Sequence, residues 1–397
     1  MFELTPTTEP GRRLDALAGR LAEELAARAG AHDRDASFPY ASVDALKSSG
    51  YYTAPVAAEL GGLGVDSVHD LIVASTRLAQ ADASVAIGVN MHMAALVTIT
   101  RYWRAAQAGG DTRRSSALAA SLAAVVRNGV VIATAISEPA QDITRPATTA
   151  TRMDRGWRID GRKIFCTGSP AATVLYTSVA LHDGAGGERY GFAQVPTGAR
   201  GVVQHDDWDA LGMRASGSQS VSFDGVVVPV AAVSDGFRAG DSRAYMERYL
   251  TAGLFHASAS LGIAEAAART ATTAARRRGE LDARGRMLLA ENVVELSAVR
   301  AALSRAAALV DLHDAPGADV VPLFAEVQAA KAFVGDAAAR VVDRALALSG
   351  GAGYLNGHPL GRAYRDVKAG AFMHPLGANR AYDFLADVAL GRRPALH

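Results

Sequence analysis

The first third of the chain carries apolar residues at the spacing of a helix. In residues 11–128 they recur every three or four positions, as at Leu14, Leu17, Leu21 and Leu25. This spacing places them on one face of an amphipathic helix. Asp66 precedes a second such pattern, which runs through Leu71 and Leu78, and its carboxylate suits a helix N-cap. The pattern predicts a helical N-terminal domain over residues 1–129.

The pattern changes to alternation between residues 130 and 233. Runs rich in β-branched and aromatic residues occupy positions 148–152, 157–159, 163–167, 174–181, 190–195 and 221–228. Gly156 and Gly161 are interpreted as turns between the first three runs. Short strands without intervening helices are typical of a small antiparallel barrel or sandwich. We expect a middle antiparallel β-barrel domain over residues 130–236.

Helical spacing returns after residue 237. One face collects Leu289, Val293, Leu296, Val299 and Leu303. Further helices are predicted over 320–348 and 378–390. The alanine-rich stretch 329–339 suits close helix packing, within the domain or between subunits. We therefore expect residues 237–397 to form a C-terminal helical bundle, and the whole chain to be α+β, mostly α.

Composition narrows the classes of function. The chain has 397 residues, 49% hydrophobic and 20% charged, as in an ordinary globular protein. Its formal net charge of +1 argues against a nucleic-acid binder. The single cysteine, Cys166, excludes an intramolecular disulfide and disfavours a cysteine-based zinc site. We expect a cytoplasmic protein that does not enter the membrane, because charges or glycines interrupt the apolar runs and residues 1–12 lack the apolar core of a secretory signal.

Several kinds of catalytic site find no support in the sequence. No glycine-rich phosphate loop stands between a strand and a helix, and the glycines of 184–187 fit a hairpin loop. Gly217-Ser218 enters a strand, so it is not the nucleophile elbow of a serine hydrolase. The ten histidines show no spacing typical of a metal site, and no metal is expected. His92 lies between two methionines on a predicted helix. It is interpreted either as a packed core histidine or as a residue that binds the substrate.

Two strand ends carry hydroxyl and glycine residues. Ser137-Glu138-Pro139 ends the first strand of the middle region, and Phe165-Cys166-Thr167-Gly168 ends another. Hydroxyls and backbone N–H groups at such positions can bond the edge of a planar heterocycle while an aromatic side chain covers its face. A flavin requires this arrangement. The residues alone leave open whether Ser137 and Thr167 bind a flavin or only cap turns.

These segments resemble signatures of the acyl-CoA dehydrogenase superfamily of FAD enzymes. Residues 135–139 (Ala-Ile-Ser-Glu-Pro) are similar to the signature in which a hydroxyl residue before Glu-Pro contacts the flavin. Residues 160–168 (Asp-Gly-Arg-Lys-Ile-Phe-Cys-Thr-Gly) are similar to a segment that places an aromatic ring beside the flavin, here Phe165, and a hydroxyl near its N5, here Thr167. Further similarities lie at 211–216, 221–229, 348–354 and 362–366, so the resemblance spans nearly the whole chain in the expected order.

The resemblance implies a cofactor, an assembly and partners. FAD is expected, with contacts from Ile136, Ser137, Phe165, Cys166 and Thr167. Gly350 and Gly351 resemble a turn that contacts the FAD of a neighbouring subunit. Arg277, in the arginine cluster 276–278, resembles the arginine that binds the FAD phosphates, although a solvated helix end is the alternative. A homotetramer, or dimer of dimers, is implied, with an electron-transfer flavoprotein or a flavin reductase as redox partner.

Two departures from the family pattern concern catalysis. The Gly-Ser-Asp that usually follows Glu-Pro is replaced by Ala-Gln-Asp at 140–142, which removes the serine that helps to hold a CoA thioester. The usual catalytic glutamate lies about nine residues after an arginine that matches Arg365. Here that position holds His374.

One interpretation moves the base to another helix. Met246-Glu247-Arg248-Tyr249 resembles the alternative position used by some family members. Glu247 would remove the substrate α-proton while flavin N5 accepts the β-hydride, with Arg248 beside it as a substrate-binding residue. A carboxylate facing a flavin in an apolar pocket has a raised pKa and can act as a base. The alternative is that Glu247 pairs with a neighbouring helix charge. The leading hypothesis is thus an acyl-CoA or acyl-carrier-protein dehydrogenase.

The other interpretation places the chain in the oxygenase branch of the superfamily. These two-component flavin monooxygenases lack the catalytic glutamate, receive reduced flavin from a reductase and form a C4a-hydroperoxyflavin. FMN is then possible in place of FAD, the substrate is a small or natural-product molecule, and His374, with His92, becomes the candidate near the oxygen. A non-catalytic assembly partner is a third hypothesis, which the retained Ser137, Phe165 and Thr167 disfavour.

Overall fold

The N-terminal part is helical, as expected. The computed structural model describes residues 3–139, 142–184, 186–234, 236–313, 319–394 and 396. Helices α1 to α5 span Glu9–Asp35, Tyr40–Ser48, Val68–Ala81, Ala83–Ala108 and Thr112–Asn128. Leu14, Leu21 and Leu25, taken from the helical spacing, are buried on α1.

The start of α3 differs from the sequence expectation. Its N-cap is Ser67, whose Oγ accepts from the N–H of Asp70, whereas the Asp66 carboxylate pairs with Arg104. Asp70 is buried and accepts hydrogen bonds from both the N–H and the hydroxyl of Thr7 and of Thr8. Burial raises the pKa of Asp70, but hydrogen bonds from His69, Thr8 and Thr7 outweigh it and hold that pKa far below its ordinary value. The N-terminal segment is thereby tied to α3.

The middle part is one sheet built from short strands. Strands β1 to β8 span Ile132–Ala135, Thr149–Met153, Gly156–Cys166, Val174–His182, Arg189–Pro196, Val202–Gln204, Gln219–Val228 and Phe237–Arg238. The order across the sheet is β6-β7-β3-β2-β4-β5-β8, and β1 pairs with β4. Residues 157–159 and 163–167, expected as separate strands, are joined in β3. Gly161 lies beside a register shift in that strand rather than in a turn.

The sheet is mixed rather than wholly antiparallel. One edge of β4 is shared by two parallel partners: β1 along Val174–Thr177 and β2 along 180–182. Its other edge pairs antiparallel with β5. The parallel pairing of β1 brings the chain that leaves α5 into the sheet, so the segment after β1 emerges beside the end of β3.

The C-terminal part is a helical bundle, which confirms the expected fold class. Helices α6 to α11 span Arg243–Arg248, Ala252–Arg278, Ala283–Leu312, Val320–Ser349, Pro359–Val367 and Ala378–Ala389. The first two turns of α7 are buried on all sides, and α7 packs against α9, α3 and α4. Its core position follows from its composition, because alanine, glycine and serine let neighbouring helices approach closely.

Helix α4 is also a core element. Within the described residues it is the one helix long and apolar enough to cross a membrane, and 78% of its most apolar stretch is buried inside the protein. It separates α3 and α7 on one side from α5 on the other. The apolar character of α4 is therefore accounted for by helix packing.

We expect Gly262→Ala to destabilise the fold. A Cβ on Gly262 of α7 would lie 2.6 Å from Ala79 Cβ and 2.7 Å from Thr76 O of α3, so the two helices would have to separate. Such overpacking costs about 1–3 kcal/mol of unfolding free energy, measured by urea denaturation. Gly19→Ala on α1 is the matched control, because nothing lies within 4 Å of its new Cβ. It should stabilise the protein by up to about 1 kcal/mol, and equal effects of the two variants would contradict the close approach.

Candidate active site

A large apolar cavity lies where the three parts of the chain meet. Its volume is about 750 Å³, which is within the range of cofactor and ligand pockets. Helices α4 and α5 form one wall, strands β1, β4 and β5 a second, and the segment from Arg248 to His256 a third. The wall is completed by the ends of β1 and β3, the loop 208–218 and residues 365–374. The chain therefore folds so that both hydroxyl-bearing strand ends open into one space.

The segment after β1 forms one edge of the cavity. Ile136 and Ser137 line it, and the carbonyl of Ser137 accepts a 2.9 Å hydrogen bond from the N–H of Ile164 on β3. This bond joins the two strand ends. The backbone and hydroxyl of Ser137 are thereby held at a fixed position along the edge.

A buried ion pair supports this edge from behind. Lys163 Nζ lies 2.7 Å from Glu138 Oε1 and also donates to Ser178 Oγ at 3.1 Å and to Ile136 O at 3.4 Å. Glu138 also accepts from the N–H and the hydroxyl of Thr148. Burial opposes ionisation of Glu138, but Lys163 and these donors outweigh it and lower its pKa. The pair thus fixes the backbone that precedes Ser137.

The end of β3 forms the next part of the wall. Phe165 has φ +56°, and its side chain is 59% exposed and lines the cavity, next to the edge of the Trp208 ring. Thr167 Oγ1 lies 2.9 Å from Ser218 Oγ, which lies 2.7 Å from Ser216 Oγ. All three hydroxyl residues line the cavity. An aromatic face and a row of hydroxyls therefore stand side by side.

These groups fit a flavin. The isoalloxazine ring is planar, with hydrogen-bonding atoms along its edges and an apolar face. The hydroxyls of Ser137 and Thr167 and the ring of Phe165 line the cavity and would supply these contacts to a bound flavin. The largely apolar lining of the rest of the cavity leaves room for the ring system.

Two histidines and two tyrosines lie at another end of the cavity. His374 Nε2 is in a hydrogen bond with the hydroxyl of Tyr245, and the rings of Tyr245 and Tyr249 both meet His374 edge-on at 5.6 Å. His256 lines the cavity, and its buried Nδ1 has no hydrogen-bond partner in the described part of the chain. The same holds for the hydroxyl of Tyr249. These atoms are available to a bound molecule or to water.

The two imidazoles are neutral. Burial lowers the pKa of His374 to about 3, and the charges of Lys331 and Arg380 act in the same direction. Burial and Lys331 also hold the pKa of His256 well below its ordinary value. Lys331 Nζ itself donates to the carbonyls of Met373 and Leu376. Burial lowers the pKa of Lys331 to about 7, so this end of the cavity offers neutral hydrogen-bonding groups and one weakly held proton behind them.

No carboxylate lines the cavity among the residues that the structure describes. The cations that do line it are Arg248, Arg365 and Lys368. Arg365 is neutralised by Asp33 at 2.6 Å. The Arg248 guanidinium carbon lies 4.3 Å from the ring centre of Phe192, and its Nη1 donates to the hydroxyl of Tyr176. The cavity is therefore apolar with a cationic contribution.

Comparisons with known proteins agree with this architecture. Three family models match in order: the acyl-CoA dehydrogenase N-terminal domain at residues 12–108, the middle domain at 133–226 and the C-terminal domain at 234–379. The amino sugar nitrososynthase DnmZ of Streptomyces peucetius is 35% identical over 394 residues, which cover 98% of this chain and 95% of that protein. The chain belongs to the acyl-CoA dehydrogenase superfamily.

Two further relatives of this superfamily member are similar over their whole length. L-evernosamine nitrososynthase of a Micromonospora species is 34% identical, covering 97% of this chain and 92% of that protein. The solved structure of KijD3 in complex with FMN and dTDP-3-amino-2,3,6-trideoxy-4-keto-3-methyl-D-glucose has a TM-score of 0.90 at 32% identity. It covers 98% of this chain and 96% of that one. The resemblance stated from the sequence is confirmed, and so is the expected flavin cofactor, as FAD or FMN.

The structure brings some of the expected residues of this superfamily member into the cavity. They are Ile136, Ser137, Phe165, Thr167, Arg248 and His374. Glu247 is not among them. Its side chain is exposed outside the cavity, since it lies one position before Arg248 on α6 and points to another side of that helix. The structure therefore does not place Glu247 as the base of a dehydrogenation.

Two other expectations need correction. His92 is fully buried outside the cavity, where it accepts from the N–H of Ile132 through Nδ1 and its Nε2 bonds the carbonyl of Tyr52. Both nitrogens are thus used by the backbone, and His92 is structural rather than a substrate ligand. The side chain of Cys166 is fully buried in the sheet, because alternation along β3 turns it away from the face of Phe165. It does not contact the cavity.

The remaining expected residues lie on the surface. Arg277 is exposed at the end of α7, and Gly350 and Gly351 are exposed in the turn after α9. None of the three lines the cavity. Arg278 donates to the carbonyl of Leu348, which holds the two segments together. The expected contact of Arg277 with the FAD phosphates stays a prediction, and so does that of Gly350 and Gly351 with the FAD of a neighbouring subunit.

Several residues of the site were not found from the sequence. Trp208, Tyr249 and His256 line the cavity, and Lys331 stands behind His374. His256 and Lys331 belong to different helices, and a single-sequence pattern does not show which faces of α7 and α9 meet.

We expect Glu138→Gln to loosen the flavin edge. The substitution leaves the Lys163 ammonium buried without its carboxylate, and breaking such a pair costs about 3–5 kcal/mol. Urea denaturation should show this loss, and a flavin titration should show weaker binding. Glu24→Gln, in an exposed pair with Arg28, should change stability by less than about 1 kcal/mol.

The double variant Glu138→Gln, Lys163→Met separates stability from positioning. Because both charges are removed, much of the stability should return. The flavin affinity should stay low, since no ammonium then holds the carbonyl of Ile136. Wild-type flavin affinity in both variants would show that the pair does not position the edge.

Proposed function

We propose that the protein is a flavin-dependent monooxygenase that oxidises the amine nitrogen of a nucleotide-linked amino sugar. The observation that carries the proposal is the lack of a carboxylate on the cavity wall among the described residues. An α,β-dehydrogenation needs a base close to the flavin to remove the α-proton. The exposed position of Glu247 and the neutral imidazole of His374 favour the oxygenase branch over the acyl-thioester dehydrogenase that led the sequence hypotheses.

The relatives supply the substrate class. The names of DnmZ and L-evernosamine nitrososynthase state that they act on amino sugars, and KijD3 holds FMN with a dTDP-linked 3-amino sugar. Identity above 30% over nearly the whole chain supports the same class here. The proposed cofactor is FMN.

The reaction balances with reduced flavin and dioxygen. The primary amine gains one oxygen atom and becomes a hydroxylamine, the second oxygen leaves as water, and the reduced flavin supplies two electrons and two protons. A second round oxidises the hydroxylamine to the nitroso level. Reduced flavin, when bound, supplies the activated oxygen, and a separate flavin reductase is the proposed source of reducing equivalents.

The residues of the cavity hold the amine in its reactive form. A nitrogen lone pair attacks oxygen only when the amine is unprotonated. Arg248 disfavours an ammonium, and among the described residues no carboxylate on the wall stabilises one. His256 Nδ1, which has no partner among the described residues, can accept a hydrogen bond from the neutral amine and orient its lone pair. Apolar residues of α4 exclude water from the reacting atoms.

With reduced FMN and oxygen, we expect the purified protein to convert a dTDP-linked amino sugar to products that contain one added oxygen atom. Mass spectrometry checks the product, and an amino-free dTDP-sugar is the control. Under anaerobic conditions a panel of acyl-CoAs should leave oxidised flavin unbleached, because none of the described residues that line the cavity is a carboxylate. Bleaching by an acyl-CoA would overturn the proposal in favour of dehydrogenation.

We expect His374→Phe to lower the oxygenation rate about 100-fold while flavin still binds. The variant removes a hydrogen-bonding group at the cavity wall. Removing one group that stabilises reacting atoms by hydrogen bonding typically lowers the rate by at least about this factor. Hydrogen peroxide should increase relative to product, as measured by a peroxidase-coupled assay. His205→Gln, which bonds Ser222 outside the cavity, should behave as the wild type. Unchanged coupling in His374→Phe would exclude this role.

A further inference from the structure

The turn between α4 and α5, with its flanking residues, is strongly basic. Residues 101–130 contain five arginines and a single acid, Asp111, in a chain whose net charge is only +1. Asp111 accepts from the N–H of Arg114 and caps α5. Arg104 pairs with Asp66, and Arg101 donates to the carbonyls of Val310 and His313. The excess positive charge stands beside the α4–α5 wall of the cavity.

Two arginines meet at one aromatic ring of this region. The guanidinium carbon of Arg114 lies 5.6 Å from the ring centre of Tyr102, and that of Arg248 lies 5.7 Å from it. Arg248 lines the cavity, whereas Arg114 is exposed on the first turn of α5. Tyr102 lies one turn beyond Thr98, a cavity residue of α4. The pair therefore connects the interior of the cavity with the surface.

The charge of this pair is not balanced by ion pairing. Within the described residues, no carboxylate lies at salt-bridge distance from Arg114 or Arg248. Both guanidinium groups instead make cation–π contacts with the Tyr102 ring. Burial and the exposed Glu247 raise the pKa of Tyr102, whereas Arg248, Arg114 and Arg101 lower it. Three cations and one carboxylate therefore lie within electrostatic range of the Tyr102 hydroxyl. The buried Nε of Arg248 has no hydrogen-bond partner in the part of the chain that the structure describes. Burial lowers the pKa of Arg248 and Arg114 lowers it further, so two cations within electrostatic range of each other and an unused donor favour the binding of an anion.

We propose that Arg114 and Arg248 bind the diphosphate of the nucleotide-linked substrate. The inference rests on the proposed function. It adds a second point of contact between the protein and the substrate, at the diphosphate and away from the amine. Guanidinium groups bind phosphate oxygens through two parallel hydrogen bonds. Tyr102 holds both groups by cation–π contact, so little side-chain freedom is lost on binding. The nucleotide then lies along α4 and α5, and the sugar reaches inward to His256 and His374.

The test compares Arg114→Gln with Arg113→Gln. Arg113 is the adjacent exposed arginine and has no ion pair within the described residues, so it controls for loss of one positive charge on α5. Isothermal titration with dTDP should show about tenfold weaker binding for Arg114→Gln and little change for Arg113→Gln. The affinity for FMN and the melting temperature of both variants should equal those of the wild type.

The outcomes separate this inference from the proposed function. If the wild type oxidises the amino sugar and Arg114→Gln keeps the wild-type KM and dTDP affinity, the diphosphate site is wrong and the function stands. If inorganic pyrophosphate binds through Arg114 but the amino sugar is not oxidised, the site stands and the function fails. Loss of FMN affinity in place of dTDP affinity would assign the arginines to the flavin phosphate and overturn the proposal.

Discussion

The ion pair of Glu138 and Lys163 is the constraint on which the cavity depends. It lies where the end of β1 meets the end of β3, and its ammonium also reaches the carbonyl of Ile136. Two charges removed from water are stable only when every neighbouring polar group has a partner. Ser178 and Thr148 supply those partners. The geometry of the flavin edge is thus set by a requirement of the interior, not by the loop that displays it.

The chemistry of the cavity follows from what its walls leave out. A cavity of this superfamily with a carboxylate suits the removal of a proton from carbon. The same space lined by neutral imidazoles, with Lys331 behind them, suits an uncharged nitrogen. Burial favours this state, because it lowers the pKa of His374 to about 3 and holds the pKa of His256 well below its ordinary value. The difference between the two branches of chemistry is therefore electrostatic rather than architectural.

The sequence predicted the fold and one side of the site well, for identifiable reasons. Helical spacing on α1 and alternation in the middle region are local signals, and the strand ends with Ser137 and Phe165 are short motifs. Gly161 was misinterpreted because a glycine at a bulge and a glycine in a turn look alike in a sequence. The arrangement of His256 against Lys331 was not predictable, since it depends on how α7 and α9 pack.

Helices α4 and α5 of the cavity wall differ in how much of each is buried in the protein core. Helix α4 carries wall residues such as Met91 on one face and core residues such as Leu96 on the other, and it is buried along most of its length. Helix α5 buries only Leu122 and Val125. Its wall positions Ser121 and Ala124 can therefore change with little cost to the core. Substrate preference can drift through α5 while α4 stays fixed, so related enzymes with different substrates can arise without passing through unstable intermediates.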